Sequence, residues 1–513
     1  MRLHRLCGVV LSGLLLVGCA SVPEPEERPE DLLELAGLSL PDVELPAPEG
    51  TLSRDEAIHQ ALWRNPSMQQ GFADLQLTAA DVVEASQFTN PGLSMSVLLP
   101  EGGGRSEVGI GLSWGLSGLL MRGSRLEIAD AHLQARRLQL AEAMLALASD
   151  TERAWFASVA ARQHAEVQAL EHRAADLALR MAERFHAAGN LNDKRLAELR
   201  ITAANAELDL EEAQQQERDA RLRLAFLMGQ PGSGSEWQVP DALPRPLPDE
   251  MTSDHLTAEA LSERLDLQAL DQGLAGLTEG VALVRRYRWL GDIEPGIAFE
   301  RERDGTRLYG PSLRVSLPVF HQNQAAQRRA AAQLAGGEAS REALQQSITA
   351  DVHAGQERLQ HHRRRFQLLD ETVLPTQAER LERIQERVNF MFDDVFDLLA
   401  AKQEELADWR RAVNVLDAYW QARVELAYLV GTDLPGGSPD AATPFDVSGL
   451  EHPPGAHGMQ HDNGHEDHGD HDHHHGHDHD EHEHEHEHEH EHEHEHDHHD
   501  HDEHDEHGHG GHH

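Results

Sequence analysis

The densest ligand chemistry in the chain lies at its C-terminal end. From Glu451 to His513 the sequence is almost wholly His, Asp, Glu and Gly, with 27 of the 38 histidines, 22 acidic residues and no Lys or Arg. Neutral imidazole is a borderline ligand and carboxylate a hard one, a mixture that suits Zn, Ni, Co or Cu(II) better than Mg or Cu(I). The segment has no Cys and only Met459, so a soft-metal site is disfavoured. The candidate ligands are His471, His473, His474, His475, His477, His479, His482, His484, His486, His488, His490, His492, His494, His496, His498, His499 and His501. Their EHEHEH spacing offers many overlapping sites and no single geometry, which implies a multi-ion buffer of modest affinity per site. Binding requires neutral His, so it should weaken as pH falls through the imidazole range. Such a segment cannot bury enough apolar surface to fold alone. The bland alternative is an acidic, solubilising tail.

A second reactive position lies near the N-terminus. Arg2 and Arg5 precede the apolar run Val9 to Val17, followed by Leu16-Val17-Gly18-Cys19. A charged start, a greasy middle and a small-residue cleavage site describe an export signal, too short to span a membrane as a helix. The tetrad resembles the bacterial lipobox, which makes Cys19 the expected mature start with lipid on its sulfur. Ala20 after it is compatible with outer-membrane sorting. The alternative is an ordinary signal peptide that contains a Cys. Cys7 would leave with the signal, so the exported chain has no cysteine pair for a disulfide. Residues 21–49, crowded with Pro and acidic side chains, read as an extended tether.

The elements between these ends repeat. Val108, Ile110, Leu112, Trp114 and Leu116 alternate with Gly109, Gly111, Ser113, Gly115 and Ser117, the period of a strand with one apolar face. Leu93, Met95, Val97 and Leu99 do the same upstream, and the Gly-rich link 100–106 closes a hairpin. Residues 312–319 alternate likewise after Asp304-Gly305, and EPGIAF at 294–299 echoes NPGLSM at 90–95. AFLMG at 225–229 echoes AYLVG at 427–431, so the chain is an internal duplication with a period of roughly 200 residues. Strands of about ten residues, apolar on one side and small or polar on the other, suit a membrane barrel. Four strands cannot close one, since about eight is the practical minimum, so a barrel must be shared between chains.

After the first ribbon, Arg122 to Ala188 has no Pro and reads as one helix roughly 100 Å long, broken at 189–192 and returning to Met228. Leu199, Ala203, Ala206, Leu210, Ala213, Ala220, Leu224 and Leu227 keep a coiled-coil rhythm. Leu399, Leu406, Trp409, Val413, Leu416, Trp420, Ala427 and Val430 do the same in the second half. Ser53 and Glu56 form a capping box at the start of the first repeat, and His59 reads as an exposed helical residue. Neither a G-x-G-x-x-G run nor a P-loop is present.

The opening Thr51 to Pro66, with Leu52, Ser53, Glu56, Ala57, Asn65 and Pro66 in an L-S-x-x-E-A…N-P pattern, resembles outer-membrane efflux proteins of the TolC family. The resemblance covers Thr51 to Gly431. The lipid anchor and metal-binding tail tilt it towards the heavy-metal, CzcC- and CusC-like branch. It implies a mainly α fold with a transmembrane β portion. Long coiled-coil hairpins would form a periplasmic tunnel, and two β-hairpins per chain would join a shared trimeric β-barrel. The domains are then residues 1–18 (signal), 19–50 (tether), 51–230 (first repeat, strands near 92–99 and 108–117), 231–250 (linker), 251–432 (second repeat, strands near 296–303 and 312–319) and 433–513 (disordered tail). The implied partners are a periplasmic adaptor, an inner-membrane resistance-nodulation-division pump, the outer membrane and metal ions, with no nucleic acid. Transport would be passive and need no cofactor.

By the same resemblance, Asn389 to Leu399 lies at the periplasmic tip. Asp397 falls where such proteins carry an aspartate of the tunnel entrance, and its usual companion one turn later is replaced by Ala400. A threefold ring of carboxylates would concentrate negative charge on the axis. Asp393 and Asp394 are further entrance candidates. On the bland reading Asp393, or else Asp394, caps the returning helix, and Asp397 favours its positive end. Two other classes remain open: a periplasmic metal-buffering lipoprotein without a pore, and an efflux duct for organic compounds. An enzyme is the least favoured.

Overall fold

The computed structural model describes residues 29–38, 50–230, 237–247, 253–432, 434, 439 and 442–451. Cys19 and all the metal-ligand candidates from His471 to His501 lie outside the described residues.

The duplication is visible in the order of elements. The first repeat runs α2 (Arg54–Arg64), α3 (Pro66–Ser86), β2 (Gly92–Leu98), β3 (Glu107–Ser113), α4 (Leu116–Ala187) and α5 (Asp193–Leu227). In the second, α6 (Ser253–Glu263), α7 (Leu265–Arg286), β5 (Ile293–Arg301) and β6 (Arg307–Val315) precede α8 (Gln324–Leu368), α9 (Leu374–Asn389) and α10 (Val395–Val430). A short helix α1 (Pro29–Leu35) and the paired strands β1 (Gly50–Thr51) and β4 (Trp237–Gln238) lie outside the two repeats.

Local chemistry sets the boundaries. The Ser53 capping box is formed, with Glu56 Oε2 accepting from the Ser53 N–H at 3.0 Å. Asn65 then ends α2 and caps α3, accepting from the Ser67 N–H at 3.0 Å, while Pro66 occupies the first helical position. Its Nδ2 donates to the Leu227 carbonyl at 2.9 Å. At the equivalent junction of the second repeat, Arg264 Nη1 donates to the Leu429 carbonyl at 3.2 Å. Each repeat thus ties its helix break to the end of its own returning helix.

α4 has 72 residues, roughly 110 Å at about 1.5 Å per residue. Its counterpart in the second repeat is interrupted by a π turn at Leu369–Val373. Pro375 follows at once; it cannot donate to the helical ladder, and the wider turn absorbs the misfit. The seams are packed as their rhythm requires. Ala203, Ala213, Leu224 and Leu227 of α5 are buried, as are Leu406, Val413, Leu416, Trp420 and Val430 of α10. On another face of α5, Ile201, Leu208, Leu222 and Phe226 remain exposed.

The main core joins both repeats at mid-length. Phe156 of α4 stacks on Trp420 of α10 with centroids 4.7 Å apart, flanked edge-on by Trp155 and Tyr419. Residues 237–247 and 442–447 wrap this core: the Phe445 N–H donates to the Leu243 carbonyl at 2.8 Å and the Arg245 N–H to the Thr443 carbonyl at 2.9 Å. Trp420 Nε1 donates to the Pro244 carbonyl at 2.7 Å.

Several expectations are corrected here. The tail expected to be disordered from 433 contains a docked piece, because Phe445 and Val447 are buried, Phe445 stacking on Trp409 at 4.9 Å. The tether is not extended throughout. α1 lies in it and buries Leu32 and Leu33 against Ile58, Leu62 and Leu140, while Ala36 packs with Leu138, Leu265 and Ala269. His59 is buried, with its ring 6.1 Å from Trp63. The first ribbon ends at Ser113, since Leu116 and Ser117 already begin α4. The second hairpin sits earlier than expected, at 293–301 and 307–315. Pro311 belongs to β6, an edge strand of this sheet where Pro is tolerated, whereas Leu317 and Val319 lie beyond the strand around Pro318. Among the described residues no helix is long and apolar enough to cross a membrane.

Candidate functional site

Two regions carry the chemistry: the sheet and the paired hairpin turns. The four strands form one antiparallel sheet in the order β2-β3-β5-β6, so the two ribbons join through β3 and β5. Register then decides what each face holds. Met95, Ile110, Phe299 and Tyr309 stand opposite one another across all four strands, and Leu93, Leu112, Ile297 and Pro311 form the next row. The other face carries Ser94, Gly111, Ala298 and Gly310, then Ser96, Gly109, Glu300 and Leu308. One face is therefore apolar and exposed through these rows, with Arg301 and Arg307 beside Val97 and Val108 closing it at the hairpin end, and the opposite one is mostly small or polar. Arg314 pairs with Glu294 at 3.1 Å on the second face.

The polar face is also tightly packed. A Cβ added at Gly296 would lie 2.5 Å from the Leu112 carbonyl oxygen and 2.8 Å from Ser312 Oγ, so this crossing of three strands accepts no side chain. Gly111, Ser113 and Gly115 have the spacing of a nucleophile elbow. Ser113, however, is still paired in the ladder opposite Gly92 and Gly296, separated from α4 by Trp114 and Gly115, so it sits in extended strand and not in a tight turn.

At the second turn, between α9 and α10, the three aspartates have separate partners. Asp394 is the N-cap: its side chain accepts from the Phe396 N–H at 3.1 Å, while Asp397 Oδ2 accepts from the Asp394 N–H at 3.2 Å, completing a capping box. Asp393 makes two parallel bonds to Arg387, at 2.6 and 2.8 Å. The guanidinium holds the Asp393 carboxyl below the usual carboxylate range. The favoured capping role for Asp393 is thus corrected: Asp394 caps, because it is the last extended residue before the helix. Asp397 stays exposed while serving the cap.

Sequence reasoning missed the apolar character of this turn. Phe390, Met391 and Phe392 are 73%, 92% and 74% exposed. The signal was present as three consecutive large apolar residues between polar helix ends. The first turn, between α4 and α5, is held beside it by Phe396, which is buried with Ala182 and Leu196 and meets Phe185 edge-on at 5.8 Å. Among the described residues no three His, Cys, Asp or Glu side chains gather where they could hold a metal ion.

Residues 57–230 match the family model described as outer membrane efflux protein. No curated protein matches the chain. Among solved structures the chain is similar to CusC, with 16% identity over 76% of this chain and 99% of that one and a TM-score of 0.61. It is likewise similar to the CmeC outer membrane channel of Campylobacter jejuni, with 14% identity, 82% and 96% coverage and a TM-score of 0.62. The open state of the MtrE outer membrane channel of Neisseria gonorrhoeae matches at 18% identity, 74% and 89% coverage and a TM-score of 0.58. The fold is that of these outer-membrane channels.

Proposed function

We propose that three copies of this chain form the outer-membrane channel of a tripartite efflux system, and that heavy-metal cations are its cargo. The observation that carries the reading is the sheet: four strands with one apolar face, bounded by Arg301 and Arg307 at the hairpin end, set at one end of helices of which the longest is roughly 110 Å. Such a face needs lipid, and four strands need neighbours to close a barrel. The exposed residues Ile201, Leu208 and Leu222, at heptad multiples along α5, supply a face that an adjacent copy can cover. The likeness to CusC and to the CmeC and MtrE channels supports the same reading.

Conduction in this proposal is passive and uses no cofactor. Each copy is anchored by lipid on Cys19. The apolar turn Phe390–Phe392 would meet a periplasmic adaptor that couples the duct to a resistance-nodulation-division pump, and Asp397 would contribute a ring of negative charge at the entrance. The histidine-rich segment would hold Zn, Ni, Co or Cu(II). Removing the residues after Leu450 tests the metal assignment: in cells carrying that truncation metal tolerance should weaken while the trimer still assembles. Unchanged tolerance would remove the metal assignment, and a strain lacking the whole protein that is sensitive to organic toxicants but not to metals would make it a duct for organic compounds.

A further inference from the structure

A cavity of about 260 Å³ opens at the root of the sheet, lined chiefly by Phe88, Trp114, Leu116, Leu119, Arg122 and Pro295. Register fixes which side it is on. Trp114 continues the alternation of Val108, Ile110 and Leu112, and its N–H donates to the Pro295 carbonyl at 2.9 Å. Pro295 lies on that same apolar face, in the row of Leu313. The cavity is thus continuous with the apolar face. It sits by the inner strands β3 and β5, away from the free outer edge of β6.

Its one cation is Arg122. Nε donates to the Ser86 carbonyl at 2.6 Å, and the guanidinium lies 5.1 Å from the Phe88 ring centroid. The Nη groups meet no acceptor among the described residues. Trp114 is anchored in the same way, its indole Nε1 donating to the Thr89 carbonyl at 2.9 Å. The level is where strands give way to helices, and the second repeat places Trp289 there with Arg288 5.3 Å from its ring. An apolar slot with a single guanidinium in its lining, between an apolar face and a polar helical region, matches a molecule with an acyl chain and a phosphate.

We propose that this cavity binds a phospholipid of the leaflet on the helical side of the sheet. An acyl chain lies against Trp114, Leu116 and Leu119, and the phosphate accepts from Arg122. The inference rests on the reading of the apolar face as membrane-facing.

The test uses the full-length trimer in detergent, titrated with phosphatidylglycerol brominated in its chains. Quenching of Trp114 is read as the difference from the Trp114→Phe protein. Saturable quenching is expected. Arg122→Gln should raise the half-saturating concentration about tenfold, Arg122→Lys should largely restore it, and brominated fatty-acid methyl ester should not distinguish the three. Quenching by lipid and ester alike, indifferent to Arg122, would overturn phosphate recognition. Ile110→Trp in the Trp114→Phe background, placed in bilayers of the brominated lipid, separates the two layers of the argument. Quenching at 110 without saturable quenching at 114 rejects the cavity and keeps the membrane face. Quenching at neither position rejects both.

Discussion

The two helical turns that lie side by side have the same backbone and opposite surfaces. At the first, the Gly189 N–H donates to the His186 carbonyl at 2.8 Å and the Asn190 N–H to Phe185 at 2.9 Å; at the second, Met391 donates to Val388 at 2.9 Å and Phe392 to Arg387 at 2.8 Å. Both use the same helix-ending motif, with a left-handed residue just past the helix: Gly189 at φ +77° and Met391 at φ +61°. Asn192 and Asp394 then cap the returning helices from corresponding places. Glycine adopts the left-handed region freely, whereas methionine does so at a cost of about 1–2 kcal/mol. The second turn bears that cost while exposing three large apolar side chains. A stability optimum would choose the first turn's chemistry twice, so the difference points to a surface kept for contact.

The largest effect is expected at Phe396, the residue that joins the turns. Phe396→Ala should cost about 3–5 kcal/mol locally, by opening the cluster with Ala182, Leu196 and Phe185. Faster amide exchange through residues 181–200 as well as 390–400 would report it; acceleration in the second turn alone would mean that the turns are not coupled. Met391→Gly should stabilise its turn by about 1 kcal/mol and also weaken capture of the adaptor. Slower exchange at 390–392 with unchanged adaptor binding would remove the contact role of this surface. Asp394→Ala should cost about 1 kcal/mol through loss of the cap, seen as fraying of the first turn of α10. The equivalent Asn192→Ala should behave alike at α5.

The smallest effect is electrostatic. Arg387 lowers the Asp393 pKa below its ordinary 3.8, so the pair's stabilisation is present above that value and is lost as pH falls through the lowered pKa. Arg387→Gln should therefore flatten the acid limb of the turn's stability below about pH 4, with little change at neutral pH. A steeper acid limb in the variant would reverse the assignment.

Much of this was legible in residue order, for reasons that differ by element. The apolar face could be read from Val108 to Leu112 because period-two alternation is a direct image of the two sides of a strand. The same alternation misplaced the second hairpin, because Leu317 and Val319 continue the pattern after the ladder has ended, and only pairing partners reveal that. The docked pieces around Phe445 and Leu32 were illegible: their neighbours are Pro-rich and acidic, and their partners Trp409 and Leu140 are distant in sequence. The three aspartates were found as a group, but a hydrogen-bond register of one residue decided that Asp394 caps and Asp393 pairs with Arg387.

Ion conductance of the purified full-length protein in a planar bilayer decides whether it is a channel. A heat-modifiable trimer with discrete, cation-selective openings is expected, and Asp397→Ala should widen them or lower their selectivity. A protein that stays monomeric and gives no conductance under any condition would contradict the channel reading, and would leave a metal-binding periplasmic lipoprotein in its place.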